Sequence, residues 1–393
     1  MSGLRGAAAV VGVADHFHPR GQGPGGERRM VLEAVLDACA DAGVEPREVD
    51  GFVSYAGGDL TGPVLGTELG IDELRWSSMV WGGGGGGAAA AIGQAAAAVA
   101  TGQAECVVVF RGMAQADIGR LGYAKYHFDQ HYLAHGVAAP AQVCALRTQR
   151  MLEVDGVPAE AMRALVLAAY AHAQRTPGAV GHGRPLDVET YEASRLIVEP
   201  FHLFDCSREN DGAVALVVVP AERARALRPD PAYVVAAAQG APGGYAGTTE
   251  NDTPYVTAGF GPGARGGGVA ARLWAAAGLG PADVDVVQVY ENFSGPAVAS
   301  LIDHGLVPPG PAAGEVMTVE QLTAPGGRLP VNTNGGNIAG SFVNGMGLAV
   351  EAVRQIRGTS TNQVDDVRTS LFIGGPMAPM VSSVLFGTAE VIA

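Results

Sequence analysis

Tyr290 and Glu291 follow an apolar run, Val284–Val289, that reads as a buried strand. A phenol beside a carboxyl at such a strand end faces the cleft in α/β architectures, and the pair can act as general acid and base. The same tyrosine is equally suited to be a packed ring with a satisfied hydroxyl. A further hydroxyl, Tyr245, lies in the glycine-rich stretch APGGYAGTTENDTPY, with Tyr255 as its alternative. The run Gly82–Gly87 satisfies G-x-G-x-x-G, as any six glycines would, but no G-K-[ST] follows and no acidic residue ends the next strand. Phosphate-loop and dinucleotide sites are therefore excluded there. Two readings remain for the glycines: close packing of a buried helix start, and backbone N–H groups at a helix N-terminus aimed at a reacting oxygen. His127, His131 and His135 recur at intervals of four, which on a helix gives metal-ligand geometry, but no H-E-x-x-H accompanies them. A lid or interface face is the better reading, and no metal is assigned. Ser207 has no G-x-S-x-G elbow, and Lys125, the one lysine in the chain, is the only conceivable Schiff-base nucleophile.

These residues need elements to hold them, and 393 residues suffice for two to three units at roughly 150 residues each. Hydrophobic residues form 48% of the chain against 16% charged, which excludes disorder for most of its length. The formal charge of −14 argues against a nucleic-acid partner, since phosphate backbones demand a basic face. Cys39, Cys106, Cys144 and Cys206 are scattered without a C-x-x-C pair, as expected of a reducing, cytoplasmic setting. The N-terminal apolar run Ala7–Ala14 is too short to span a membrane.

An internal repeat organises the chain. AGVEPREVDGFVSY from Ala42 and AGLGPADVDVVQVY from Ala277 share Ala, Gly, Pro, Val, Asp and Tyr at one offset of 235 residues, so Tyr55 matches Tyr290. Each copy reads as an amphipathic helix (Val31–Asp41; Val269–Ala276) stopped by Gly, then a Pro turn and a strand. A second pair follows. The alanine-rich helix before Gly102 leads to a strand Cys106–Phe110, and GLAVEAVRQIRG leads to SLFIGG. A helix apolar all round belongs between two sheets. The expectation is two similar α/β halves, 1–230 and 231–393, with a mostly helical insertion at about 112–200 over the site.

Four ordered segments resemble the thiolase superfamily over essentially the whole chain. They are ENDGAVALVVV (Glu209–Val219), VYENF (Val289–Phe293), GGNIAGSFVNGMG (Gly335–Gly347) and LFIGGPM (Leu371–Met377), similar to the family's N-D-G-A, N-E-A-F, Gly-His-Pro and C-x-G-G-G motifs. The resemblance implies a five-layered α-β-α-β-α fold and a homodimer. Carried over position by position, the nucleophilic cysteine falls on Gly85, the base histidine on Phe342, the second cysteine on Phe372, and the Asn of N-E-A-F on Tyr290, with its Glu kept as Glu291. Thiolysis and Claisen condensation need an acyl-cysteine and a proton carrier for the second thiol, so thiolase activity is rejected.

The glycine run, Tyr290 and the FVNGM sequence look more like the lipid-transfer-protein branch, which includes steroid side-chain aldolases. This resemblance implies retro-aldol cleavage of a bulky β-hydroxyacyl-CoA and a small zinc-ribbon and OB-fold partner protein. It implies proton handling by Tyr290, Glu291 and Tyr245, and an amide donor at Asn344. The backbone at Gly84, Gly85, Gly86 and Gly87 would hold the thioester oxygen, and Phe342 and Phe372 would line the acyl site. Asn332, Asn334 and Asn337 read as turn formers. Where the aldolases carry a proton-bearing tyrosine this chain has Phe342, which moves no proton. Arg147, Arg150, Arg184 and Arg195 are candidates for the CoA phosphates, and no tightly bound cofactor is expected beyond the CoA thioester substrate. The alternative reading is a non-catalytic acyl-CoA or lipid-binding scaffold subunit, and a third is a biosynthetic enzyme running related enolate chemistry.

Overall fold

Alternating apolar side chains along the strands decide the layering. The computed structural model describes residues 3–57, 60–81, 84–119, 130–241, 256–261 and 267–393. Its strands are β1 (Ala8–Pro19), β2 (Gly51–Tyr55), β3 (Trp76–Val80), β4 (Val107–Met113), β5 (Leu196–Val198), β6 (Phe201–His202), β7 (Asn210–Pro220), β8 (Ala232–Gly240), β9 (Val286–Val289), β10 (Thr369–Gly374) and β11 (Val381–Gly387). On β4 and β7, Val107, Val109, Val214, Leu216 and Val218 face one core, while Val108, Phe110, Ala215 and Val217 face another. On β10 and β11, Phe372, Val384 and Phe386 join the first of these cores, and Leu371, Ile373 and Leu385 join a third.

The shared inner core wraps two central helices, Ala88–Ala100 and Met346–Arg357. Alanine at most positions of the first keeps it slim enough to lie against strands of both half-sheets. Helix Gly26–Ala42, stopped by Gly43 in the left-handed region (φ +66°), covers the outer face of one half-sheet. Val269–Ala277 and Ser294–Asp303 cover the other, completing five layers.

Two sheets were expected; hydrogen bonding joins them into one of nine strands, in the order β3-β2-β4-β7-β1-β8-β11-β10-β9. The junction is short: β1 meets β8 only at Ala9/Tyr233 and Val10/Ala232, so the half-sheets diverge beyond it and enclose the helices. The repeat is visible in the order, with β1, β7, β4 and β2 mirrored by β8, β11, β10 and β9. The counterpart of β3 is reduced to an isolated parallel bridge between Val287 and Val331.

The segment between β4 and β7 carries helices Pro140–Glu153, Glu160–Arg175 and Val188–Glu192, shorter helical turns, and the β5–β6 hairpin. Its end clamps a loop of the other half: Val180 and Gly181 N–H donate to the carbonyls of Gly340 and Ala339, both at 2.7 Å. Among the described residues no helix is long and apolar enough to cross a membrane.

Candidate active site

The carboxyl ends of parallel strands β2, β9 and β10, the start of helix Ala88–Ala100 and the Gly335–Gly345 loop meet at one place. Gly84–Gly87 form a tight turn into the helix, and Gly85, Gly86 and Gly87 are buried. Each faces something different. A β-carbon on Gly85 would strike the Tyr290 ring, one on Gly86 the carbonyl oxygen of Met380, and one on Gly87 the Tyr55 side chain. Gly374 and Gly375, at the end of β10, lie against Gly85 and Gly86. Ser382 pins the turn by donating to Gly86 O at 2.6 Å while its oxygen accepts from Ala90 N at 3.0 Å. The structure therefore brings together Gly85, Tyr290 and Phe342, with the end of β10, on which Phe372 lies, beside them.

The repeat supplies two buried tyrosines to this turn, in different surroundings. Tyr55, at the end of β2, is fully buried and donates to Asn344 O at 2.8 Å; desolvation drives its phenol pKa far above the ordinary value. It is locked as a structural hydroxyl. Tyr290, its mate at the end of β9, retains 4% exposure and packs its ring on Gly85, Gly345 and, edge-on, Phe342 at 6.1 Å between centroids. Its backbone N–H donates to Ile373 O at 2.8 Å, fixing it to β10. Phe372 lies on the inner face of β10, entirely within the central core.

Glu291 is completely buried and holds the Gly335–Gly345 loop. Its Oε1 accepts from Asn337 N at 2.8 Å and Ile338 N at 3.4 Å, and Gly336 (φ +62°) passes so close that any side chain there would collide with that oxygen. Oε2 has no partner. Burial pushes the carboxyl up to about 8, against the opposing pull of these N–H groups. Between the ordinary carboxylate range and pH 8 the folded chain thus keeps a proton that the unfolded chain has released, so this residue's contribution to stability falls as pH rises through that window. In Glu291→Gln the amide oxygen replaces Oε1 and the NH2 takes the unpartnered place. The melting temperature of the variant should accordingly gain on wild type by a few degrees between pH 5 and pH 9, as scanning calorimetry would read. A constant difference would mean that the carboxyl titrates normally.

Asn344 has a left-handed backbone (φ +45°), and in the amide orientation that satisfies both groups its oxygen accepts from Arg111 Nε and Nη2 at 3.3 and 3.2 Å. Arg111 also lies over the Tyr55 ring and donates to Gly57 O at 2.6 Å. Asn332 (φ +54°) is a turn former and more. Its amide accepts from Val289 N at 2.7 Å and donates to Val289 O at 2.9 Å, fixing the end of β9 just before Tyr290.

The segment Asp205–Asn210 ties these loops together, a role not visible in the sequence, where Ser207 and the strand from Glu209 stood out for other reasons. Asp205, buried, accepts from Ser294 Oγ at 2.6 Å and from Tyr191 Oη at 2.8 Å. Ser207 N donates to Asn292 O at 2.9 Å, Arg208 N to Asn337 O at 3.0 Å, and Phe342 N to Asn210 Oδ1 at 2.6 Å. Ser207 therefore serves through its backbone. The one advance signal was a polar run, DCSREND, leading directly into an apolar strand.

Tyr245, Tyr255, Lys125 and His127 lie outside the described residues. The helical turn Gln130–Leu133 ends before His135, so the spacing of four does not continue along one helix face. Among the described residues no three His, Cys, Asp or Glu side chains are grouped to hold a metal ion. Cys106, Cys144 and Cys206 have thiols pushed up to about 12 by burial, and Cys39 to about 11, the opposite of an activated nucleophile. Arg184 and Arg195 are exposed, whereas burial lowers the pKa of Arg147. A surface groove of about 760 Å³ lies away from this site, between Asp230, Asp285, Asp366 and Glu390. Its carboxylates would repel a CoA phosphate, so the convergence around Tyr290 is the better active-site candidate.

Comparison with known proteins shows the family. Residues 264–386 match the thiolase C-terminal domain-like family. The chain is 37% identical over 400 residues to a steroid side-chain-cleaving aldolase of Thermomonospora curvata, covering 98% of this chain and 99% of that protein. It is 34% identical over 397 residues to the 17-hydroxy-3-oxo-4-pregnene-20-carboxyl-CoA lyase of Mycobacterium tuberculosis, covering 97% of this chain and 100% of the lyase. The solved structure of an Ltp2-ChsH2(DUF35) aldolase superposes with a TM-score of 0.88 at 34% identity, covering 98% and 99% of the two chains.

Proposed function

Since the chain belongs to the thiolase-fold family of steroid side-chain aldolases, we propose that it cleaves a carbon–carbon bond of a bulky, steroid-type β-hydroxyacyl-CoA without a covalent acyl-enzyme. It is a carbon–carbon lyase, not a thiolase. The observation that carries the mechanism is the placement of Tyr290 between Gly85 and Gly345, with Glu291 directly behind it. In the retro-aldol direction the β-hydroxyl gives up its proton and its oxygen becomes a ketone. The Cα–Cβ pair moves to the α-carbon as a thioester enolate, which is then protonated. Glu291 is suited to accept the first proton once pH reaches about 8, where its buried carboxyl ionises. Tyr290, with Tyr245 as its partner, is suited to supply the second. The peptide groups of Gly84–Gly87, at the N-terminus of helix Ala88–Ala100, favour negative charge on the thioester oxygen. Asn344, whose oxygen is held by Arg111, has its amide N–H groups left to support that charge.

A small zinc-ribbon and OB-fold protein is the proposed partner, supported by the DUF35 component named in the similar aldolase structure. Free cysteines fit a reducing, cytoplasmic setting. A second copy of the chain fits the outer edge of β3, which pairs on one side only and is followed by Trp81, 89% exposed. Trp81→Glu should halve the mass seen by light scattering; an unchanged mass would place the dimer contact elsewhere. The functional reading is tested by incubating the chain and its partner with a steroid β-hydroxyacyl-CoA. Equimolar release of ketone and shortened thioester is expected, and thioesters that bind but emerge intact would favour the scaffold reading.

A further inference from the structure

The turn that fixes the end of β9 is itself held from the insertion. His172, on helix Glu160–Arg175, is completely buried, and both of its ring nitrogens are engaged. Ala324 N donates to Nε2 at 2.8 Å, so that nitrogen carries no proton; the single ring proton sits on Nδ1 and is donated to Asn332 O at 3.1 Å. Burial, with the charge of Arg175 nearby, pushes the imidazole down to about 4, so the ring keeps this neutral form at physiological pH. Asn332 in turn sets its side-chain amide on both polar groups of Val289, the residue before Tyr290, and its backbone N–H on Val287 O at 2.9 Å. It does so with a left-handed backbone (φ +54°), a conformation that a non-glycine residue keeps only when its surroundings hold it. Its carbonyl is held by Gly335 N at 2.9 Å from within the turn and by His172 from outside it. An unbroken series of hydrogen bonds thus runs from the insertion to the residue before Tyr290.

We propose that His172 is a positioning residue for Tyr290. Its Nδ1–H holds the Asn332 turn, the turn holds Val289, and the Tyr290 ring is thereby kept between Gly85 and Gly345. A displacement of about 1 Å caused by a remote change can lower a rate on the order of a hundredfold, so a residue that never meets substrate can still govern kcat. The inference rests on the aldolase reading with Tyr290 as the acid, and makes the insertion part of what sets the geometry of that acid.

The two ring nitrogens can be replaced separately, because an asparagine amide overlays Nδ1 and a glutamine amide reaches the place of Nε2. His172→Asn can still donate to Asn332 O, whereas His172→Gln can only accept from Ala324 N. With 17-hydroxy-3-oxo-4-pregnene-20-carboxyl-CoA and the partner protein present, His172→Gln should lower kcat roughly tenfold, the scale of one buried hydrogen bond, at unchanged KM, and His172→Asn should recover most of that loss. Both variants remove a buried ring, so their urea midpoints should fall together, and a merely structural histidine would leave their kcat values equal. Added to Tyr290→Phe, His172→Gln should lower the rate no further, since the group it positions is gone. Equal kcat in the two histidine variants, or losses that multiply in the double variant, would overturn the inference. If neither histidine variant folds, nitrogen NMR of the histidine-labelled wild type decides: the His172 ring should be neutral with its proton on Nδ1, and a proton on Nε2 would remove the bond to Asn332 and the inference with it. Ketone release by wild type, with slow turnover by Tyr290→Phe in the same preparation, leaves the aldolase reading standing whichever way the histidine variants behave. If either is missing, reading and inference fall together.

Discussion

Tyr290→Phe is expected to lower kcat by about 10² to 10⁴-fold, the usual range for losing a positioned acid or base. Thioester affinity should stay within about twofold, because every described packing contact of this residue is made by its ring. Gly85, Gly345 and Phe342 all meet ring carbons, and phenylalanine preserves them. The loss should therefore appear in kcat and not in KM. A variant that turns over normally would return Tyr290 to the role of a packed ring and leave Tyr55, its locked mate, as the better description of both.

The second large effect concerns the glycine turn, where neighbouring positions should fail differently. Gly86→Ala places a methyl group on the carbonyl oxygen of Met380 and faces Ala378, so backbone must move. We expect a stability loss of about 3 kcal/mol or more, at the upper end for overpacking, read as a lowered urea midpoint or loss of folded protein. Gly85→Ala instead meets a side chain, the Tyr290 ring, and not fixed backbone. It should fold with a smaller loss and yet lose turnover, because the ring it displaces is the catalytic one. Equal stability losses in the two variants, with activity kept in Gly85→Ala, would show that the turn serves packing alone.

The repeat at an offset of 235 residues was legible because helix, Pro turn and strand each leave a local signature, and it correctly made Tyr55 and Tyr290 equivalent. Their different surroundings were not legible, since they depend on Asn344 and Gly345 arriving from about 290 and 55 residues further along. For the same reason the glycine run could be read as close packing but not assigned its contacts with Tyr290, Met380 and Tyr55. Asn332 shows how a turn signal hides a second role: the sequence reveals its tolerance of left-handed backbone, and only the fold reveals its amide bridging both polar groups of Val289. The ties made by Asp205–Asn210 were not legible either. Apart from the Ser294 and Tyr191 hydroxyls that donate to Asp205, the segment's partners are backbone atoms of distant loops, which carry no residue-type signal. The joining of the two half-sheets through β1 and β8 escaped notice because two residue pairs leave no pattern.

The central claim, carbon–carbon cleavage without a covalent acyl-enzyme, is tested most directly by intact-protein mass spectrometry during turnover of a steroid β-hydroxyacyl-CoA, with products followed in the same quenched samples. A ketone and a shortened acyl-CoA should accumulate together while the mass of the chain stays that of the unmodified polypeptide throughout. A chain that gains the mass of an acyl group as products form, or thioester that remains intact in the presence of the partner protein, would contradict it.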